Sequence, residues 1–160
     1  KDFSYSNNNP IIYGNNSLIK WIENNKPSYK IEDRIIVQKS LLLSELSNYD
    51  MGKLFIIIFV AKWHRSCKKL MKYIYENKRK EEKKKDDLFT SYSKYANFVY
   101  VDIDENRKLF SSYDVSVIPY VLFLKIQDNK IDEIDNIKCE NIEEDVKNIE
   151  GKIIKILDLD

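Results

Sequence analysis

The densest apolar stretch of the chain is Leu54-Phe55-Ile56-Ile57-Ile58-Phe59-Val60, which contains no polar residue. A strand with one wet face alternates apolar and polar side chains. An unbroken run of β-branched and aromatic residues over Lys53 to Val60 therefore predicts a strand covered on both faces. Arg34-Ile35-Ile36-Val37 reads as an earlier strand, and Leu41 to Leu46 as a short helix. After the central run, Ser66 to about Lys85 has helical spacing, with Leu70, Met71 and Ile74 facing inward. Asn97 to Ile103 predicts another strand, and Asn106 to Tyr113 a short helix. Val117 to Lys125 predicts a strand with Pro119 near its start, where a missing N–H is tolerated. Asp128-Asn129-Lys130 is a hairpin turn into Ile131 to Ile137. Ile142, Val146, Ile149, Ile153 and Ile156 recur at helical spacing and predict the closing helix.

The predicted order is β-α-β-α-β-α-β-β-α. Alternating strands and helices give a parallel core, and the final hairpin adds antiparallel pairing. The expectation is an α/β domain over residues 34–160, with a mixed central sheet flanked by helices on both faces. Residues 1–33 read as an N-terminal extension. In it Ser6-Asn7-Asn8-Asn9-Pro10 is turn-rich, and Ser17 is placed to cap a short helix through Leu18, Trp21 and Ile22 that ends before Pro27.

Composition narrows the function classes. The 160 residues suit one domain with a full core, and 43% hydrophobic residues argue against a wholly disordered chain. Net charge is +1, so no global basic field points to nucleic acid. The run Lys78 to Asp87 mixes signs at helical spacing and reads as a solvated helix end or loop rather than a binding patch. The longest apolar run is too short to span a bilayer, so no membrane insertion is expected. The chain opens Lys1-Asp2-Phe3 and shows no signal peptide. We read it as a trimmed chain, consistent with a leader removed on the way to the secretory pathway or an organelle. Two cysteines, Cys67 and Cys139, give no disulfide framework.

The candidate chemistry sits directly after the central run, at Ala61-Lys62-Trp63-His64-Arg65-Ser66-Cys67-Lys68. There a strand turns into a helix, carrying a Trp, three intervening residues and a Cys. Together with Val101-Asp102-Ile103-Asp104-Glu105-Asn106 and Tyr113-Asp114-Val115-Ser116-Val117-Ile118-Pro119, in that order, this resembles the thioredoxin family over roughly residues 34–158. The resemblance implies a thioredoxin-like fold and a cis peptide bond before Pro119. It also implies a groove in which Trp63, His64, Arg65, Ser66, Ile118, Pro119 and Tyr120 meet an extended peptide, with Trp63, Ile118 and Tyr120 as its apolar walls. Such recognition is strand addition and needs no thiol.

The family's motif is Trp-Cys-x-x-Cys, and here His64 occupies the first thiol position. The first Cys is the attacking nucleophile and the second resolves the mixed disulfide, so dithiol exchange lacks its opening step. The family's buried proton-relay acid falls at Ile58 and its accompanying Lys at Tyr100. Nucleophile and relay are absent together. Cys67 then admits two readings. A helix N-terminus and His64 favour a thiolate, which would make a monothiol oxidoreductase with Cys67 catalytic. Burial under the turn opposes ionisation, and the apolar run makes desolvation the expected winner.

Three classes stay open at this stage: a redox-degenerate module binding a protein or extended peptide partner, a monothiol enzyme, and a structural domain with an unused groove. No metal is expected, because His64 and Cys67 offer two ligands, Cys139 is the other thiol, no second His exists, and a closed zinc site takes four. No cofactor is expected. Cys139 reads as a loop thiol near the groove's far rim.

Overall fold

A computed structural model of the chain describes residues 10–14, 31–75 and 87–159. The elements run β1 (Ile11–Ile12), α1 (Ile31–Leu46), β2 (Leu54–Val60), α2 (Arg65–Tyr75), α3 (Leu88–Tyr92), β3 (Ala96–Asp102), α4 (Arg107–Ser112), β4 (Tyr120–Gln127), β5 (Lys130–Lys138) and α5 (Ile142–Leu157). The five strands form one sheet in the order β1-β3-β2-β4-β5. β3 lies parallel to β1 and β2, while β4 runs antiparallel to β2 and β5 antiparallel to β4. No helix among the described residues is long and apolar enough to cross a membrane.

β2 organises this sheet. All seven of its residues are buried, as its unbroken apolar run requires. Successive side chains of a strand point to opposite faces. Leu54, Ile56, Ile58 and Val60 therefore enter one core with Cys67, Leu70 and Ile74 of α2, Leu88 of α3, and Ile142, Ile149 and Ile153 of α5. Phe55, Ile57 and Phe59 enter the other core with Leu42 and Leu46 of α1 and Leu109 of α4. The helices thus cover both faces of a mixed sheet.

Local chemistry sets the ends of the elements. Asp128 and Asn129 both take positive φ, 54° and 61°, as a two-residue hairpin turn with matched twist demands. Asn141 caps α5 through its side-chain oxygen, which accepts from the Glu144 N–H at 3.3 Å. Asp87 caps α3 in the same way, accepting from Thr90 N–H at 2.7 Å.

The segment Arg34 to Val37 is a correction. It lies within helix α1 rather than in a strand. Gln38, Leu42, Glu45 and Leu46 form the buried stripe of that helix, and Ile36 is exposed. Two polar residues at core positions conceal the helical period, so the β-branched Ile35-Ile36-Val37 looks extended. The first strand of the sheet is instead Ile11–Ile12, inside the stretch read as an extension, with Ile11 opposite Val99. Helix α3 was not expected. The proposed helix after Ser17 and the charged run 78–86 lie outside the described residues.

If β2 is the shared wall of two dry cores, removing bulk from it should cost full cavity energy. Ile57→Ala should lower unfolding free energy by about 2–5 kcal/mol. Urea denaturation measures this as a lower midpoint at unchanged slope. A loss under about 1 kcal/mol would mean that this face of β2 is not close-packed.

Candidate functional site

β2 ends at Val60, and Ala61 to His64 turn the chain into α2. The turn is closed by His64 N–H donating to the Ala61 carbonyl at 3.2 Å, and the helix starts with Lys68 N–H donating to the His64 carbonyl at 3.1 Å. His64 thus stands just ahead of the first helical residue, Arg65, and Cys67 lies within the first turn. The first turn carries no acidic residue. The side chain of His64 is half-buried, and its Nδ1 is enclosed without a hydrogen-bond partner among the described residues.

Trp63 lies beside it, with the two ring centroids 5.5 Å apart. It is 65% exposed, yet its indole Nε1–H donates to Asp104 Oδ2 at 2.7 Å. Asp104 is held in turn by the Asx turn in which its own N–H donates to Asp102 Oδ1 at 2.9 Å. Ile103 N–H extends the β3 ladder to the Val60 carbonyl at 2.9 Å. The loop after β3 therefore fixes the position of the Trp63 ring. The acidic run Asp102 to Glu105 carried that signal in the sequence, but Asp104 was not singled out as the tether.

Cys67 lies beneath this surface at 1% exposure. Burial pushes its thiol above the usual range, and a backbone hydrogen bond at Ala61 opposes the shift only in part. Directly below, Ile58 sits opposite Tyr100 across the β2–β3 pair, so the two positions at which the family resemblance implies a relay acid and a lysine are neighbours. Burial also raises the Tyr100 phenol, with Asp102, Cys67 and Glu105 adding to the effect. Nothing ionised underlies the thiol on β2.

The Ile118–Pro119 peptide bond is cis. Phe59 pairs with Tyr120, so one further step of that register sets Pro119 beside the end of β2, at the base of the motif turn. Ile118 is half-buried against the same core as Cys67, and Val117 is 41% exposed. Arg65 is exposed and Ser66 half-exposed on the first turn of α2.

One expectation needs correction. Tyr120 does not wall a groove alongside Trp63. It is 6% exposed, and its ring lies 5.9 Å from that of Phe59, in the core on the opposite face from Cys67. Strand parity explains this, because Tyr120, Leu122 and Leu124 share a face. Cys139 stands in the loop after β5, as expected, and its side chain is buried. It follows β5 at 7% exposure within the Cys67 core, and burial first, then Asp145 and Cys67, pushes its thiol up to about 12. Among the described residues no group of His, Cys, Asp and Glu is placed to hold a metal ion.

A dry underside predicts that the missing acid cannot simply be put back. In Ile58→Asp the carboxyl would be buried among apolar groups and its folded pKa raised above the unfolded value of about 3.9. A raised pKa gives stability that is present at low pH and lost as pH rises. The variant should therefore be destabilised by at least roughly 3 kcal/mol at pH 7, and less at pH 5. Chemical denaturation at the two pH values measures this, and an equal, small loss at both would show that water reaches position 58.

Comparison with known proteins agrees with this geometry. The thioredoxin family model matches residues 35–148. Thioredoxin H8 of Arabidopsis thaliana is 28% identical over 94 residues, which cover 59% of this chain and 55% of that protein. The chain thus aligns with little more than half of that relative. Among solved structures, a poplar thioredoxin h superposes with a TM-score of 0.50 at 26% identity, covering 70% of this chain and 85% of that one. Deadhead, the germline-specific thioredoxin of Drosophila melanogaster, gives 0.51 at 21% identity, with coverage of 70% and 90%. Plasmodium falciparum thioredoxin gives 0.51 at 18%, with coverage of 69% and 78%, a likeness of fold alone. A family match over most of the sheet and helices, joined to the strand–turn–helix geometry at Trp63 to Cys67, makes this chain a member of the thioredoxin family.

Proposed function

We propose that this thioredoxin-family chain is a redox-degenerate module that binds an extended segment of a protein partner and does not carry out dithiol–disulfide exchange. The observation that carries the reading is the pairing of His64 at the nucleophile position with a Cys67 that is 1% exposed and held as a neutral thiol by burial. Attack on a disulfide requires a thiolate with access. The first position has no sulfur, and the second has neither access nor charge.

What the surface does offer suits binding. Trp63 presents a large ring whose polar edge is already engaged by Asp104, so its apolar face meets a partner at little conformational cost. In this reading the exposed Val117 and the half-buried Ile118 would add apolar contact, with Pro119 as the floor. His64, Arg65 and Ser66 form the rim on the α2 side. An extended chain laid along Val117 and Ile118 by strand addition would gain main-chain hydrogen bonds and place side chains against Trp63. The alternative is a monothiol oxidoreductase using Cys67, which needs that thiol to become exposed and ionised.

Two measurements test the proposal. In an insulin-disulfide reduction assay the protein should give no rate above the dithiol reductant alone, and His64→Cys should restore at most weak turnover, since Ile58 supplies no proton relay. Robust turnover by the natural sequence, abolished by Cys67→Ser, would establish the monothiol enzyme instead. Binding of an unfolded, cysteine-blocked polypeptide, followed by calorimetry, should weaken roughly five- to thirtyfold on Trp63→Ala, the effect of about 1–2 kcal/mol expected for a surface aromatic anchor. It should change little on Cys67→Ser. Equal affinity for the wild type and Trp63→Ala would remove the proposed surface.

A further inference from the structure

The two thiols are distant in sequence, and the sheet brings them together. β4 pairs with β2 so that Tyr120 lies opposite Phe59, and with β5 so that Tyr120 lies opposite Lys138. One more step along both ladders places Pro119 between the end of β2 and Cys139. The contact is made: Cys139 N–H donates to the Pro119 carbonyl at 3.1 Å. On the other side of Pro119, β2 passes through the motif turn into α2, which carries Cys67 in its first turn. Both cysteines belong to one buried core with Ile58, Val60 and Val121, and Ile118 packs against it. Both are free.

Their electrostatics agree with this proximity. The charge of a Cys67 thiolate is among the causes that raise Cys139, after burial and Asp145. Together these push the Cys139 thiol up to about 12, and a negative charge on Cys67 opposes its ionisation.

We propose that Cys67 and Cys139 form a buried dithiol which a small disulfide oxidant converts into an intramolecular disulfide, tying the first turn of α2 to the end of β5 beside Pro119. The family's exchange uses two cysteines within one turn of one helix. This pair instead joins two elements across the cis-proline segment. With a glutathione-type disulfide the step balances as follows. One protein thiolate attacks the oxidant's S–S bond, forms a mixed disulfide and releases one glutathione thiolate, which takes up a proton. The second protein thiolate attacks the protein sulfur of that mixed disulfide and releases the second glutathione. Two protein thiols give up two protons and two electrons, and the oxidant is reduced to two thiols.

Access divides this step from enzymatic turnover. Cysteines at 1% and 7% exposure admit a small oxidant during local opening but not the disulfide of a folded protein. The event is therefore stoichiometric, and it goes beyond the binding role without requiring it. Once made, the bridge encloses a long loop and should therefore stabilise the folded, oxidised chain against unfolding.

The test uses the intact protein with oxidised glutathione, followed by acid quenching, alkylation under denaturing conditions and peptide mapping by mass spectrometry. The expected product has lost two hydrogens and yields a peptide linked through Cys67 and Cys139. Its rate of formation should rise about tenfold per pH unit from neutrality, because burial holds both thiols protonated there. Cys67→Ser and Cys139→Ser, each checked for native circular dichroism, should both abolish the linked peptide. Recovery of two alkylated thiols, of glutathione adducts alone, or of disulfides between copies of the chain would overturn the proposal. A separate insulin assay on the same sample reports on the binding-module reading, so the failure of one is told apart from the failure of the other.

Discussion

A strand buried on both faces has no room for an unpaired charge, and in this protein such a strand ends directly beneath the motif turn. β2 supplies Ile58 and Val60 to the core that encloses Cys67, and the strand beside it sets Tyr100 against Ile58. Desolvation penalises the charged form of a thiol in such surroundings. The helix N-terminus favours that form, but it acts at the surface of the turn, with Cys67 tucked under it. Burial raises the thiol, and a backbone hydrogen bond at Ala61 opposes it only in part. On the proposed reading, the role of the turn moves outward, from sulfur to the rings and backbone above it.

That outer surface is braced from the far edge of the sheet. Tyr13 N–H donates to the Tyr100 carbonyl at 3.0 Å, so the short strand β1 clamps the last residues of β3. The chain then leaves through Gly14 at φ 84°, where a side chain would meet Asn106 Oδ1 at 2.5 Å. Glycine satisfies both the positive φ and the close approach. Asn106 is itself tied down, its Nδ2 donating to the Asp102 carbonyl at 2.9 Å. The loop fixed in this way is the one that presents Asp104 to Trp63. Hydrogen bonds at Tyr100, Asp102 and Asp104, joined through the backbone between them, thus connect Tyr13 to the indole.

Much of this was legible in the sequence. The continuous run of β2, the strand Ala96–Asp102, the Asp128-Asn129 turn and the isoleucine period of α5 each obey a single pattern without interruption. The strand–turn–helix frame at Trp63 to Cys67 follows from them. What was not legible has specific causes. Gln38 and Glu45 occupy core positions of α1, so the helical stripe there is half polar and its β-branched start looks like a strand. β1 is two residues long, below the reach of any periodic signal. Helix α3 depends on one cap, Asp87, at the end of a charged run. The depth of Cys139 depends on the register of β5, which only the pairing with β4 fixes. The direction of Tyr120 was open to a parity argument along β4, and family resemblance drew the reading to the groove instead.

The account rests on a Cys67 that stays neutral because its surroundings are dry, and the thiol's own titration tests this most directly. Thiolate absorbance in the ultraviolet, followed against pH in Cys139→Ser to isolate one sulfur, should show Cys67 ionising above about 8.5, the value of an unperturbed thiol. Titration well below that value would mean that the helix N-terminus and His64 outweigh burial, and the redox-degenerate reading would give way to a monothiol one.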